Sequence, residues 1–133
     1  TTRRLSRELA LQVLFQLEFS PQQSVEDALA NFRHSFGAPD EVWTYALELL
    51  QGILAKRKEI DGLIQARSEH WKLKRMALVD LNIMRIAAFE LKFAPEAVPP
   101  AVVINEAVEI SKKYGSVDSS AFVNGILDQI VKQ

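Results

Sequence analysis

Apolar positions recur every three or four places along the 133 residues, and no stretch sustains the period-two alternation of a strand. Residues 4–18 set Leu5, Leu9, Val13 and Leu17 on one stripe, with Ala10 and Leu14 beside it, predicting a first helix closed by Ser20–Pro21. A shorter helix is expected from Val25 to Ser35, capped by Ser24, with Ala28, Leu29, Phe32 and Phe36 inward. Gly37–Ala38–Pro39 breaks the chain. Asp40 and Glu41 then open a long third helix, their carboxylates suiting the positive end of the helix dipole. Its apolar positions run from Val42 and Trp43 through Ala46, Leu47, Leu50, Ile53 and Leu54, and the pattern continues to Ile60, Leu63 and Ile64. A fourth helix over 78–93 is apolar on most sides, which predicts a central rather than peripheral place.

The last third carries the fullest punctuation. Pro99–Pro100 suits the first turn of a helix, where N–H groups lack partners anyway and the fixed φ is already helical. Ile104, Ala107, Val108 and Ser111 are expected inward, with Asn105, Glu106, Glu109, Lys112 and Lys113 turned out. Tyr114–Gly115 supplies the stop, Asp118–Ser119–Ser120 the acceptors for the next helix, and Phe122, Val123, Ile126, Leu127, Ile130 and Val131 its apolar stripe. Asn124–Gly125 between apolar pairs is a hairpin cue. Its flanks are too short for strands, however, and the helical period passes through. Gly125 therefore reads as a helix position costing ~1 kcal/mol relative to Ala, tolerated where another helix approaches closely. The expectation is an all-α protein of six helices, residues 1–133 forming one domain.

Composition narrows this picture by exclusion. The chain is 48% hydrophobic and 25% charged, ordinary for a globular domain, and its lack of cysteine excludes disulfides and thiolate metal sites. No apolar run approaches ~18 residues, and the opening TTRRLSRELALQVL lacks a signal-peptide core. A soluble, cytoplasmic protein without membrane contact is expected. Net charge is −1, but its distribution is uneven. Arg3, Arg4 and Arg7 stand together without an acid among the first seven residues. Arg67, Lys72, Lys74 and Arg75 face only Glu69, with His70 and Trp71 among them, and between these clusters acids dominate.

Catalytic chemistry finds little material. His34 and His70 lack metal-site spacing, and there is no glycine-rich phosphate loop or nucleophile elbow. The expectation is a non-enzyme without cofactor or metal. Arg3 and Arg7 are four apart and share a helix face with Arg4 beside them, a grouping that can grip phosphates or stack on unpaired bases. A solvated terminal turn is the plain alternative, although cations are disfavoured at a helix N-terminus. Lys112 and Lys113 are accounted for by dipole compensation at a C-terminus. The segment 67–75 is either a second phosphate surface or the setting of a core plug, Trp71, and the plug is the preferred reading. Arg85, inside an apolar helix, requires an acid, with Asp80, Glu90 or Glu106 in reach by sequence.

Three ordered words carry a family resemblance. Arg3-Arg4-x-x-Arg7-Glu8-x-Ala10-x-Gln12-x-Leu14-Phe15 and Ile83-x-Arg85-Ile86-Ala87-x-Phe89-Glu90-Leu91 precede a C-terminal signature. That signature is Ile104-Asn105-Glu106-Ala107, Gly115-x-x-Asp118-Ser119 and Phe122-Val123-Asn124-Gly125-Ile126-Leu127. Together they resemble the NusB family of bacterial transcription antitermination factors; residues 21–75 match only in helical pattern. The resemblance implies two packed three-helix bundles and binding of single-stranded boxA RNA together with NusE, a small-subunit ribosomal protein, within an RNA polymerase antitermination complex that promotes ribosomal RNA synthesis. It implies an RNA surface comprising Arg3, Arg4, Arg7, Lys112, Asp118 and Ser119, and a NusE surface comprising Phe15 and Asp80. Leu5 stands where many relatives carry a third arginine, which implies weaker RNA affinity. A NusB-like domain also occurs in ribosomal RNA cytosine methyltransferases; a chain ending at Gln133 leaves no room for a catalytic domain, favouring a stand-alone factor. The alternative from another class is a helical protein-interaction module, a homodimer burying the partner face.

Overall fold

The structure is a computed structural model that describes residues 2–132. Its helices are α1 (Thr2–Phe19), α2 (Val25–Ser35), α3 (Asp40–Ala55), α4 (Arg57–Arg67), α5 (Leu78–Lys92), α6 (Pro100–Tyr114) and α7 (Ser119–Val131), with a 3₁₀ turn at Leu73–Arg75. No strand occurs among the described residues, and the helical period does run through Asn124–Gly125. None of these helices is long and apolar enough to cross a membrane.

Helices α1, α2 and α3 pack on one another, as do α5, α6 and α7, with α4 laid against α5 and α7. The two bundles meet where α5 touches α1 and α3. That position explains the composition of α5: every residue from Asp80 to Glu90 is buried, so it has no solvent face on which to place polar residues. Side chains from both bundles form one continuous core, including Val13, Leu50, Ile60, Met84, Val103 and Leu127.

Local chemistry sets the boundaries. Ser24 Oγ accepts from Asp27 N–H at 3.0 Å, the predicted cap of α2. Pro100 occupies the first turn of α6, and Pro99 O accepts from Val102 and Val103. The long third helix differs from expectation. It breaks at Lys56, whose φ of −111° and ψ of 16° end α3 and begin α4. No glycine or proline marks the place, and the backbone bonds change hands smoothly: Lys56 N–H donates to Gly52 O and Lys56 O accepts from Ile60 N–H. The break redirects Ile60 and Ile64 into the second bundle, where both are fully buried.

Other expectations shift by a residue or reverse. On α6 the buried set is Val103, Glu106, Ala107, Ile110 and Ser111, so Glu106 faces inward and Ile104 and Val108 lie at the margin. Leu5 is exposed while Ser6 and Arg7 are buried, and Phe36 is exposed. Trp71 is not a plug; it stands 53% exposed. Gly125 is not a close approach, because a Cβ there would meet nothing within 4 Å. The close approach is at Gly52, where a Cβ would fall 2.2 Å from the Phe89 ring.

Candidate nucleic-acid interface

The first turns of α1 lie against the C-terminal half of α5 and the middle of α6, and this packing decides the fate of the arginine cluster. Arg7 is 4% exposed. Its Nε and Nη2 donate to Glu90 Oε1 and Oε2 at 2.8 and 2.9 Å, and its Nη1 reaches Glu106 Oε1 at 3.2 Å. Glu90 also accepts a hydrogen bond from the Tyr45 hydroxyl. Arg4 forms a second two-point contact, Nε to Glu106 Oε1 at 3.0 Å and Nη2 to Oε2 at 2.6 Å. Arg3 lies over the Tyr45 ring, 3.9 Å from its centroid, and meets the exposed Glu96 carboxylate at 3.9 Å.

The cluster is thus a graded network rather than three equivalent cations. Arg7 is structural, held between two carboxylates in the interior, and its guanidinium is closed to a phosphate. Arg4 is partly exposed and oriented by Glu106. Arg3, with about half of its side chain open (47%), is the member most available to a ligand. The hydrogen bond from Arg4 holds the Glu106 carboxyl below the usual value, and the charges of Arg4 and Arg7 add to it against the opposing effect of burial. Burial and the hydrogen bond to Glu90 push the Tyr45 phenol up to about 12, so it stays a neutral donor in any physiological buffer.

The other predicted residues lie around the α6–α7 joint. Lys112 is exposed and pairs with Glu109 at 2.9 Å; Lys113 reaches across to Glu8 at 2.8 Å, tying α6 to α1. Asp118 is exposed and makes no side-chain cap. Ser119 is buried, and its Oγ accepts from Ser116 N–H at 2.9 Å, a hydrogen bond within the joint. Gly115 permits this arrangement, since a Cβ there would lie 2.4 Å from Ser119 Oγ and 2.9 Å from Ser111 O. Ser119 therefore shapes the joint from within while Asp118 faces solvent.

The predicted partner residues separate in the same way. Phe15 is 40% exposed and packs against Phe19, itself 70% exposed, with ring centroids 5.3 Å apart. Asp80 is buried, and its Oδ1 has no hydrogen-bond partner among the described residues. Arg85 does not pair with Asp80, Glu90 or Glu106. It donates to Asp61 at 2.8 and 3.1 Å and to Asn82 Oδ1 at 2.9 Å, and lies 3.5 Å from Glu18, which also pairs with Arg57. Nothing in the sequence points to Asp61, because the apolar spacing runs on through Lys56 as one helix; the break there turns Asp61 toward α5.

The sequence pattern of the NusB family matches residues 4–132. The transcription antitermination protein NusB of Bdellovibrio bacteriovorus is 52% identical over 132 residues, spanning 99% of this chain and 96% of that protein. The corresponding protein of Trichlorobacter lovleyi is 49% identical over 96% of this chain and 89% of its own length. Among solved structures, NusB of T. maritima superimposes with a TM-score of 0.89 at 37% identity, covering 100% of this chain and 92% of the other. A chain from a crystal structure of the antitermination factors NusB and NusE in complex with dsRNA gives 0.85 at 25% identity, covering 98% and 96%.

Proposed function

This chain belongs to the NusB family, and from that premise we propose that it is an RNA-binding transcription antitermination factor. It binds boxA RNA jointly with NusE and joins an RNA polymerase complex that reads through terminators, notably in ribosomal RNA synthesis. The observation carrying this reading is the chain-long likeness to a transcription antitermination protein at 52% identity. The solved complex of NusB and NusE with dsRNA, one chain of which has the same fold at a TM-score of 0.85, supports NusE and RNA as the partners.

On this reading the RNA runs past Arg3, Arg4, Lys112 and Asp118, the solvent-facing members of the predicted set. Arg7 and Ser119 act behind them. Arg7 fixes Glu106, which aims Arg4, and Ser119 fixes the joint that presents Asp118. The exposed Phe15–Phe19 pair provides the apolar anchor for NusE, in keeping with the enrichment of aromatic side chains at interface centres.

A reconstituted transcription reaction tests the function directly. On a template carrying boxA before a terminator, this chain with NusE raises the read-through fraction, and deleting boxA from the transcript abolishes the gain. Equal read-through on both templates contradicts the proposal.

A further inference from the structure

The connection between α4 and α5 carries a second basic surface, separate from the arginine–glutamate network. Lys72, Lys74 and Arg75 are all exposed, and none of them makes an ion pair among the described residues. Beside them stands Trp71, 53% exposed, whereas the chain's other tryptophan, Trp43, is 3% exposed. An indole left in water forgoes a large burial gain, so its setting matters.

That setting is held in place from below. Gln65 Nε2 donates to Trp71 O at 2.9 Å, and Gln65 Oε1 accepts from Leu73 N–H at 3.1 Å. Trp71 N–H donates to the carbonyl of the buried Ser68, whose hydroxyl donates to Ile64 O at 2.7 Å. Arg75 and Met76 close the 3₁₀ turn through Lys72 O and Leu73 O. Leu73 and Met76 pack into the core, while Trp71 and three cations remain outside. A planar ring on a backbone-clamped turn, flanked by unpaired cations, has the composition of a single-strand binding platform: bases stack on the aromatic face and the cations hold the phosphates. With Trp71 the one large apolar side chain of the segment that is exposed, the surface does not suit a lipid bilayer.

We propose that the α4–α5 connection is a further contact for single-stranded RNA, in which one unpaired base stacks on Trp71 and Lys72, Lys74 and Arg75 take the flanking phosphates. This rests on the reading that the chain binds RNA, and it lengthens the bound strand. Arg67, at the end of α4, reaches Gln129 O near the C-terminal end of α7, whereas Asp118 sits at its start. From Asp118 to Gln129, where the end of α4 is anchored, α7 rises about 17 Å along its axis.

Titration with a boxA strand extended by flanking uridines tests the assignment. RNA should quench the fluorescence of the native protein, and the quench should vanish in Trp71→Ala, since Trp43 is buried. Trp71→Ala should weaken binding roughly 5- to 160-fold, the range of one base–aromatic stack, and Trp71→Phe should recover most of it. Replacing Lys72, Lys74 and Arg75 by Gln should reduce the slope of log K against log salt by about 2. Native affinity in Trp71→Ala together with a native slope in the Lys72, Lys74 and Arg75 variant, at unchanged melting temperatures, overturns this contact while leaving the RNA-binding function intact. Failure of the native protein to bind the strand overturns both. A Trp71 response to polyglutamate and none to RNA overturns it in favour of an acidic protein ligand.

Discussion

At the scale of single residues, the interior ionic network decides what the arginine cluster can do. Arg7 and Glu90 meet out of water, and the half-buried Tyr45 hydroxyl adds a hydrogen bond to Glu90, so removing the carboxylate strands the guanidinium. Glu90→Gln is expected to cost about 3–5 kcal/mol, the usual penalty for breaking a buried pair from one side, read from denaturant unfolding. Glu106 adds a pH dependence of definite sign. Its folded pKa is depressed below the ordinary carboxylate value, chiefly by the hydrogen bond from Arg4. It therefore contributes stability that is complete above the ordinary carboxylate value and is lost as pH falls through the depressed one. Glu106→Gln should flatten the acid limb of stability in that window, and an unaltered limb would show the pair to be inactive. Asp118 makes a contrasting case, because its carboxylate caps nothing. Asp118→Asn should leave the melting temperature unchanged and tighten RNA binding by a fraction of a kcal/mol to ~1 kcal/mol through relief of repulsion, less at high salt.

At the scale of helices, two glycines give opposite expectations. Gly52→Ala drives a methyl into the Phe89 ring, and overpacking of about 1–3 kcal/mol outweighs the gain in helix propensity. Gly125→Ala meets open space and should stabilise by up to ~1 kcal/mol; thermal unfolding of the two variants should move in opposite directions. Much at this scale was legible in sequence. The ends of α2, α5 and α6, the helical reading of Asn124–Gly125 and the central place of α5 all follow from periodicity and capping residues. The break at Lys56 was not legible, since neither a glycine nor a proline marks it and the apolar spacing continues through it. The rotation of α6 was hidden for a related reason: a glutamate reads as a solvent residue until two arginines from α1 are brought against it. Trp71 misled in the opposite sense, because size and hydrophobicity argue for burial wherever the chain does not hold the ring outside.

Across the whole molecule, α1 is clamped at both ends, by Arg7 to Glu90 and Glu106 and by Glu18 to Arg57 and Arg85. The same helix shows Arg3 at its start and the Phe15–Phe19 pair near its end, so a rigid α1 holds the proposed RNA contact and the proposed NusE anchor in fixed relation. Phe15→Glu should then weaken NusE association while moving the melting temperature little, given its exposure; a large thermal loss would make Phe15 a core residue. Joint binding of RNA and NusE is decided by filter binding of a boxA strand across a salt series, with and without NusE. The expected result is tighter retention with NusE and a log K against log salt slope of roughly −2 to −3.5, as for about three to five phosphate contacts. A flat salt response, or affinity indifferent to NusE, would contradict it.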